Sequence, residues 1–236
     1  MKPAVSPVRR CSHVLIRVDD LRQTVRDYRA LGFEVHYATA EHKARHAHVW
    51  FPEGPIIELL ATPANARYFK LPLTLIGGMG AGERMVRWSR EPEGFVDVAL
   101  VTEGPDIRVH LAELRGAGVP FGRAVPWKRT PPGGPLTRFR FAYPRRDRLP
   151  FLVTPYDPPL HPAKSHHTNG AERLTGVVLG VRPEDRAAVE RIVAADPAFE
   201  LETAEVTGVR AIRISGLTED PDPALLHGAR VLAAPL

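Results

Sequence analysis

A chain of 236 residues, 44% hydrophobic and 25% charged, has the composition of a soluble globular protein with room for a substantial core. Its net charge of +5 comes from dispersed basic residues, and with 7% aromatic residues and no basic helix a nucleic-acid stacking platform is excluded. No apolar run approaches the ~20 residues of a membrane span. The start has no hydrophobic stretch of signal-peptide type, and a lone Cys11 excludes an internal disulfide, so a cytoplasmic location is expected.

Three stretches, 12–38, 96–124 and 174–204, repeat one order of strand, polar turn, amphipathic helix and strand. In the first, His13–Val18 reads as a strand and Asp19 or Asp20 as a helix cap. Leu21, Val25, Tyr28 and Leu31 make one helical face, Gly32 stops the helix, and strands follow at 33–38, 47–51 and 56–61. The second copy gives a strand over 95–102, a helix over 105–115, and strands over 119–125, 136–143 and 150–154. Between them, 63–94 reads as a connector whose glycines at 77–82 lack the lysine and hydroxyl of a phosphate loop, so no nucleotide cofactor is expected. Residues 158–173 form a histidine-rich loop. The third copy, 174–236, is shorter and degenerate, with strands at 174–181, 199–204, 208–214 and 229–232 around a helix over 183–195. The fold class is α+β: βαβββ modules at 1–62 and 95–157 with curled mixed sheets, and a truncated βαββ unit.

Strand alternation sorts the polar residues onto surfaces. His13, Leu15 and Arg17 share one face, as do Ile56, Glu58 and Leu60, and His48 shares a face with Trp50. If these faces line one concave sheet, His13, Arg17, His48 and Glu58 converge. Glu58 carries the most weight, since a carboxylate in so apolar a strand needs a partner or a metal. His42 and His48 are further candidates for proton transfer, with His46 beside them. Arg138 and Arg140 suit a carboxylate or phosphate. His167 and Asn169, in the loop, are placed as a flap over the mouth.

The chain resembles the vicinal oxygen chelate superfamily of glyoxalases, extradiol dioxygenases and bleomycin-resistance proteins, and within it the glyoxalase-like domain branch. The resemblance rests on Ser12-His-Val-Leu-Ile-Arg-Val18 before Asp20-Leu21, on Leu31-Gly-Phe33, and on Ile56-Ile-Glu-Leu-Leu60. Leu149-Pro-Phe-Leu152, His161-Pro162 and His167-Thr-Asn-Gly170 complete it, over about 1–215. It implies a cup around a divalent ion (zinc, manganese, iron, nickel or magnesium) held by the first and last strands of each module. His13 and Glu58 match the first module's ligand positions, and Asp97 stands on the second module's first strand. Thr154 departs from the pattern, standing where a carboxylate or glutamine is expected.

Two functions follow. One is a metal-dependent isomerase or lyase acting on a small oxygenated or anionic metabolite, with His48, His42 or Glu58 moving a proton. A dioxygenase is disfavoured, because Asp97 replaces a second histidine. The other is a metal-free protein that sequesters a drug or metabolite in the same cup, with Trp50, Trp88 and Trp127 stacking on it. A small molecule is the expected partner, a homodimer is compatible with the fold, and neither nucleic acid nor membrane is expected.

Overall fold

The first strand, β1 (Arg9–Arg17), buries Val14 and Ile16 on one face and His13 and Leu15 on the other, as its alternation requires. Helix α1 (Leu21–Ala30) starts where the Asp20 carboxylate accepts from the amides of Arg22 and Gln23. It ends before Gly32, whose φ of +86° suits glycine alone. Strands β2 (Val35–Tyr37), β3 (His46–Val49) and β4 (Ile56–Leu60) complete the first module. A computed structural model of the chain describes residues 8–162 and 164–234; the first seven residues assigned to this module lie outside it.

The second module repeats the order with β5 (Gly94–Thr102), α4 (Ile107–Gly116), β6 (Val125–Arg129), β7 (Thr137–Ala142) and β8 (Phe151–Val153). The strand expected over 119–125 lies instead at 125–129. β6 is an edge strand, where Pro126 removes no ladder bond that a neighbour needs. Together the modules form one sheet in the order β2-β3-β4-β1-β5-β8-β7-β6. In each, the first strand pairs in parallel with the last, and β1 and β5 join antiparallel at the centre.

β3 and β6 lie six strands apart, about 29 Å if the sheet were flat. Arg129 of β6 nevertheless donates to His48 of β3 at 2.9 Å. The sheet is therefore curled until its ends approach across a cup. The connector is helical, with a 3-10 turn at Ala64–Phe69, then α2 (Lys70–Gly77) and α3 (Met79–Trp88). Its glycines serve packing. A side chain at Gly80 would put its first carbon 1.8 Å from the carbonyl oxygen of Pro144.

The third unit has its own sheet, β10-β9-β11-β12, from β9 (Arg173–Val181), β10 (Phe199–Thr203), β11 (Gly208–Ser215) and β12 (Val231–Ala233), with α5 (Arg186–Val193). Its pairing differs from the modules: the strand after the helix lies beside the first strand, not at the far edge. The unit shares one apolar core with α1, α4 and the face of β1 that carries Val14 and Ile16. The opposite face, with Leu15, Leu60, Ala99, Phe151 and Val153, packs on Trp88 of α3 and lines the cup.

Candidate active site

Glu58 is the centre of the cup floor. β4 sets it opposite His48 of β3 and beside Leu15 of β1. His13 Nε2 is 3.4 Å from Oε2, while Oε1 is hydrogen-bonded to His46 Nδ1. The Arg129 guanidinium reaches over from the second module to within 3.7 Å of Oε1. Its Nη1 lies 2.9 Å from His48 Nε2. A guanidinium only donates, so His48 accepts at Nε2 and carries its proton on Nδ1. One carboxylate thus collects three imidazoles and a guanidinium.

Burial governs the charge states. It pushes His48 down to about 4, with Arg129 adding to the shift, and it lowers His13 likewise. Both rings are neutral at pH 7. Burial would raise Glu58, but the hydrogen bond from His46 and the neighbouring imidazoles outweigh it and hold the carboxyl well below the usual range. Glu58 is therefore a fixed anion.

Above this floor lies a cavity of about 820 Å³. Trp88, Trp127, Phe139, Phe141, Tyr143 and Phe151 are among its walls, and Tyr156, pushed up to about 12 by burial, stays protonated. His13, His46, Glu58 and Arg129 are among its polar lining. His46 is the most open of these, its side chain 36% exposed. Among the described residues its Nε2 has no hydrogen-bond partner.

Of the residues expected from sequence, the structure brings His13, His48 and Glu58 together, with His48 turned toward a neighbouring groove that Trp50 also lines. The others stand elsewhere. Arg17 pairs with Asp19 and does not line the cavity. His42 is exposed on a 3-10 turn. Arg138, Arg140 and Thr154 have the opposite strand parity to Phe139, Phe141 and Val153, so they line an outer groove. The expected flap is a structural tie. His167 accepts from the Glu34 amide and donates to the Trp50 carbonyl, and Asn169 donates to Leu31. Sequence reasoning undervalued His46, although it shares parity with His48. It missed Arg129 because its strand was placed six residues early.

Asp97 is not a ligand in waiting. It is buried, and its carboxylate takes Arg84 Nε at 2.6 Å, Arg87 Nη2 at 2.8 Å and Trp88 Nε1 at 3.0 Å. This bears on the divalent ion that the resemblance implies. Carboxylate and imidazole are suitable donors for a zinc-like ion. Among the described residues, however, no three histidine, cysteine or acidic side chains are grouped to hold one. Arg129 occupies the Nε2 lone pair of His48 and faces Glu58 Oε1. As arranged, these residues do not fit a divalent ion.

No curated protein matches the chain. Among solved structures, a hypothetical protein from Staphylococcus aureus is 14% identical, covering 96% of this chain and 100% of that one with a TM-score of 0.70. A mutant of homoprotocatechuate 2,3-dioxygenase from Brevibacterium fuscum is 12% identical over 90% of this chain, with a TM-score of 0.50. The chain spans 59% of that enzyme's length. A catechol 2,3-dioxygenase is 11% identical over 87% of this chain and 74% of its own, with a TM-score of 0.47. The first two likenesses establish the fold and no more. A family model described as a glyoxalase-like domain matches residues 11–194, and the chain therefore belongs to the glyoxalase-like domain family.

Proposed function

We propose that the cup is the active site of an enzyme of the isomerase or lyase class. It moves a proton on a small molecule with a planar apolar body and an oxygenated end. The observation that carries this reading is His46: Nδ1 is tied to the Glu58 carboxylate while the rest of the ring opens on the cavity. Glu58, held ionised, is too weak a base to take the proton itself. It fixes the tautomer of His46 and stabilises the imidazolium when the ring is protonated, which is how a buried carboxylate supports a histidine base. The aromatic walls hold the planar body, and Arg129 offers the positive field for charge that develops on oxygen. No step is routed through a divalent ion.

The test uses wild-type protein in deuterium oxide with a panel of aryl-substituted 2-oxo acids, 2-hydroxy acids and hydroxyketones. Proton NMR follows deuterium entry at the carbon next to the carbonyl. At least one panel member is expected to exchange. His46→Gln should slow that exchange by about 10²–10⁴-fold, the usual contribution of a general base. Exchange that survives His46→Gln intact would sink the assignment. The second reading, a metal-free sequestering protein, is favoured by the aromatic lining. It predicts saturable quenching of Trp88 and Trp127 fluorescence with no exchange for any panel member.

A further inference from the structure

Both carboxylates that the resemblance singles out as ligands are compensated by arginine. Asp97 is held by Arg84 and Arg87 from α3, and Glu58 faces Arg129 from β6. The second arrangement is the more telling, because Arg129 arrives from the far edge of the sheet. Its side chain is only 12% exposed, its guanidinium lies 5.9 Å from the centre of the Phe139 ring, and it occupies the Nε2 lone pair of His48. A buried carboxylate needs one counter-charge. Here a covalently attached cation supplies it, facing the same carboxylate that would have to ligate a divalent ion.

We infer that Arg129 is the resident cation of the cup floor, and that His13, His48 and Glu58 form a latent divalent-metal site which Arg129 keeps closed. Two of the donors stand together. His13 Nε2 and Glu58 Oε2 are 3.4 Å apart, the edge of a tetrahedron with ligand bonds of about 2.1 Å. His48 Nε2 becomes a free imidazole donor as soon as the guanidinium leaves. Glu58 Oε1 loses its facing cation at the same moment. Positive charge within about 4 Å of the same carboxylate repels a second cation strongly in a site this dry. Guanidinium and metal ion are therefore alternatives. The chain keeps the family's scaffold and two of its ligands while working without the ion.

The inference concerns the same site as the proposed function but stands whether or not proton exchange is found, because its readout is metal uptake without substrate. Tag-free protein is dialysed against zinc or nickel, and bound metal is counted by mass spectrometry, with titration calorimetry for affinity. The variants are Arg129→Met, which keeps the apolar stem over Phe139, and Arg129→Lys, which keeps the charge. Wild type and Arg129→Lys are expected to stay essentially metal-free. Arg129→Met should bind one ion per chain at least ~100-fold more tightly than wild type, through loss of the charge repulsion. Adding Glu58→Gln to Arg129→Met should abolish the gain. Stoichiometric metal in wild type, lost in His13→Ala, overturns the inference outright. So does a folded Arg129→Met, by circular dichroism and melting, that gains nothing. If Arg129→Met does not fold, the smaller neutral Arg129→Gln takes its place under the same criteria.

Discussion

Asp97 and His48 show how burial dictates charge at single residues. Asp97 is 5% exposed and faces two guanidinia, one of them on a fully buried arginine, Arg84. Removing one partner of such a cluster leaves an uncompensated buried charge. Asp97→Asn is therefore expected to destabilise the fold by about 3–5 kcal/mol in urea titration. Replacing a mere solvent-exposed ligand would shift the midpoint hardly at all. Burial lowers the pKa of His48, where it would raise that of a carboxylate. Its folded value is about 4 against 6.5 for a free imidazole, so the unfolded chain takes up the proton first as pH falls. The stabilisation is complete above pH 6.5 and is lost progressively between pH 6.5 and 4, to a total of about 3 kcal/mol. His48→Gln, which still offers Arg129 an acceptor oxygen, should flatten this part of the stability profile. A wild-type Tm that does not fall between pH 7 and 5 would contradict the neutral assignment of the ring.

At the scale of elements, α3 closes the cup against β5 and β8, and Gly80 is what lets it approach. With 1.8 Å between its absent side chain and the Pro144 carbonyl oxygen, Gly80→Ala must displace backbone. We expect a loss of more than about 3 kcal/mol by denaturant titration, the range of overpacked contacts with no flexible side chain to yield. Gly116→Ala, at the end of α4, where a side chain would meet nothing within 4 Å and the backbone has no positive φ, is a control for the loss of glycine as such. Both positions are glycine, and nothing in the sequence separates them. The same limit explains what was legible beforehand. Strands with short apolar runs, such as the one carrying His13 and the one carrying Glu58, were readable because burial on both faces imprints such a run. The glycines at 77–82 look the same whether they loosen a loop or seat a helix, so α3 and its arginines stayed hidden. β6 is an edge strand of sequence Val-Pro-Trp-Lys-Arg, mostly exposed and interrupted by proline. It carries almost no apolar signal, and Arg129 went unseen with it. No one-dimensional pattern records that the two ends of an eight-stranded sheet meet across a cup.

Over the whole molecule, the third unit decides whether the cup stands alone. Its β9 and α5 bury Leu174, Val177, Leu179 and Ile192 in the same core as α1, α4 and the back of β1. Arg9 of β1 is 2% exposed and donates from Nε to the Ile192 carbonyl at 2.9 Å, and from Nη2 to Arg191 at 2.7 Å. The third unit is thus the backing of the strand that presents His13, and the two should unfold together. The tryptophans report on this cleanly, because Trp50, Trp88 and Trp127 all belong to the modules and connector and none lies beyond residue 173. Ile192→Ala, made in α5, should cost about 2–5 kcal/mol as a buried large-to-small change. With one shared core, the loss moves the tryptophan-fluorescence transition and the far-ultraviolet circular-dichroism transition by the same amount. If fluorescence stayed where it was while circular dichroism split into two steps, the third unit would be an independent domain. The floor of the cup would then owe it nothing, and His13 would keep its place on β1 without it.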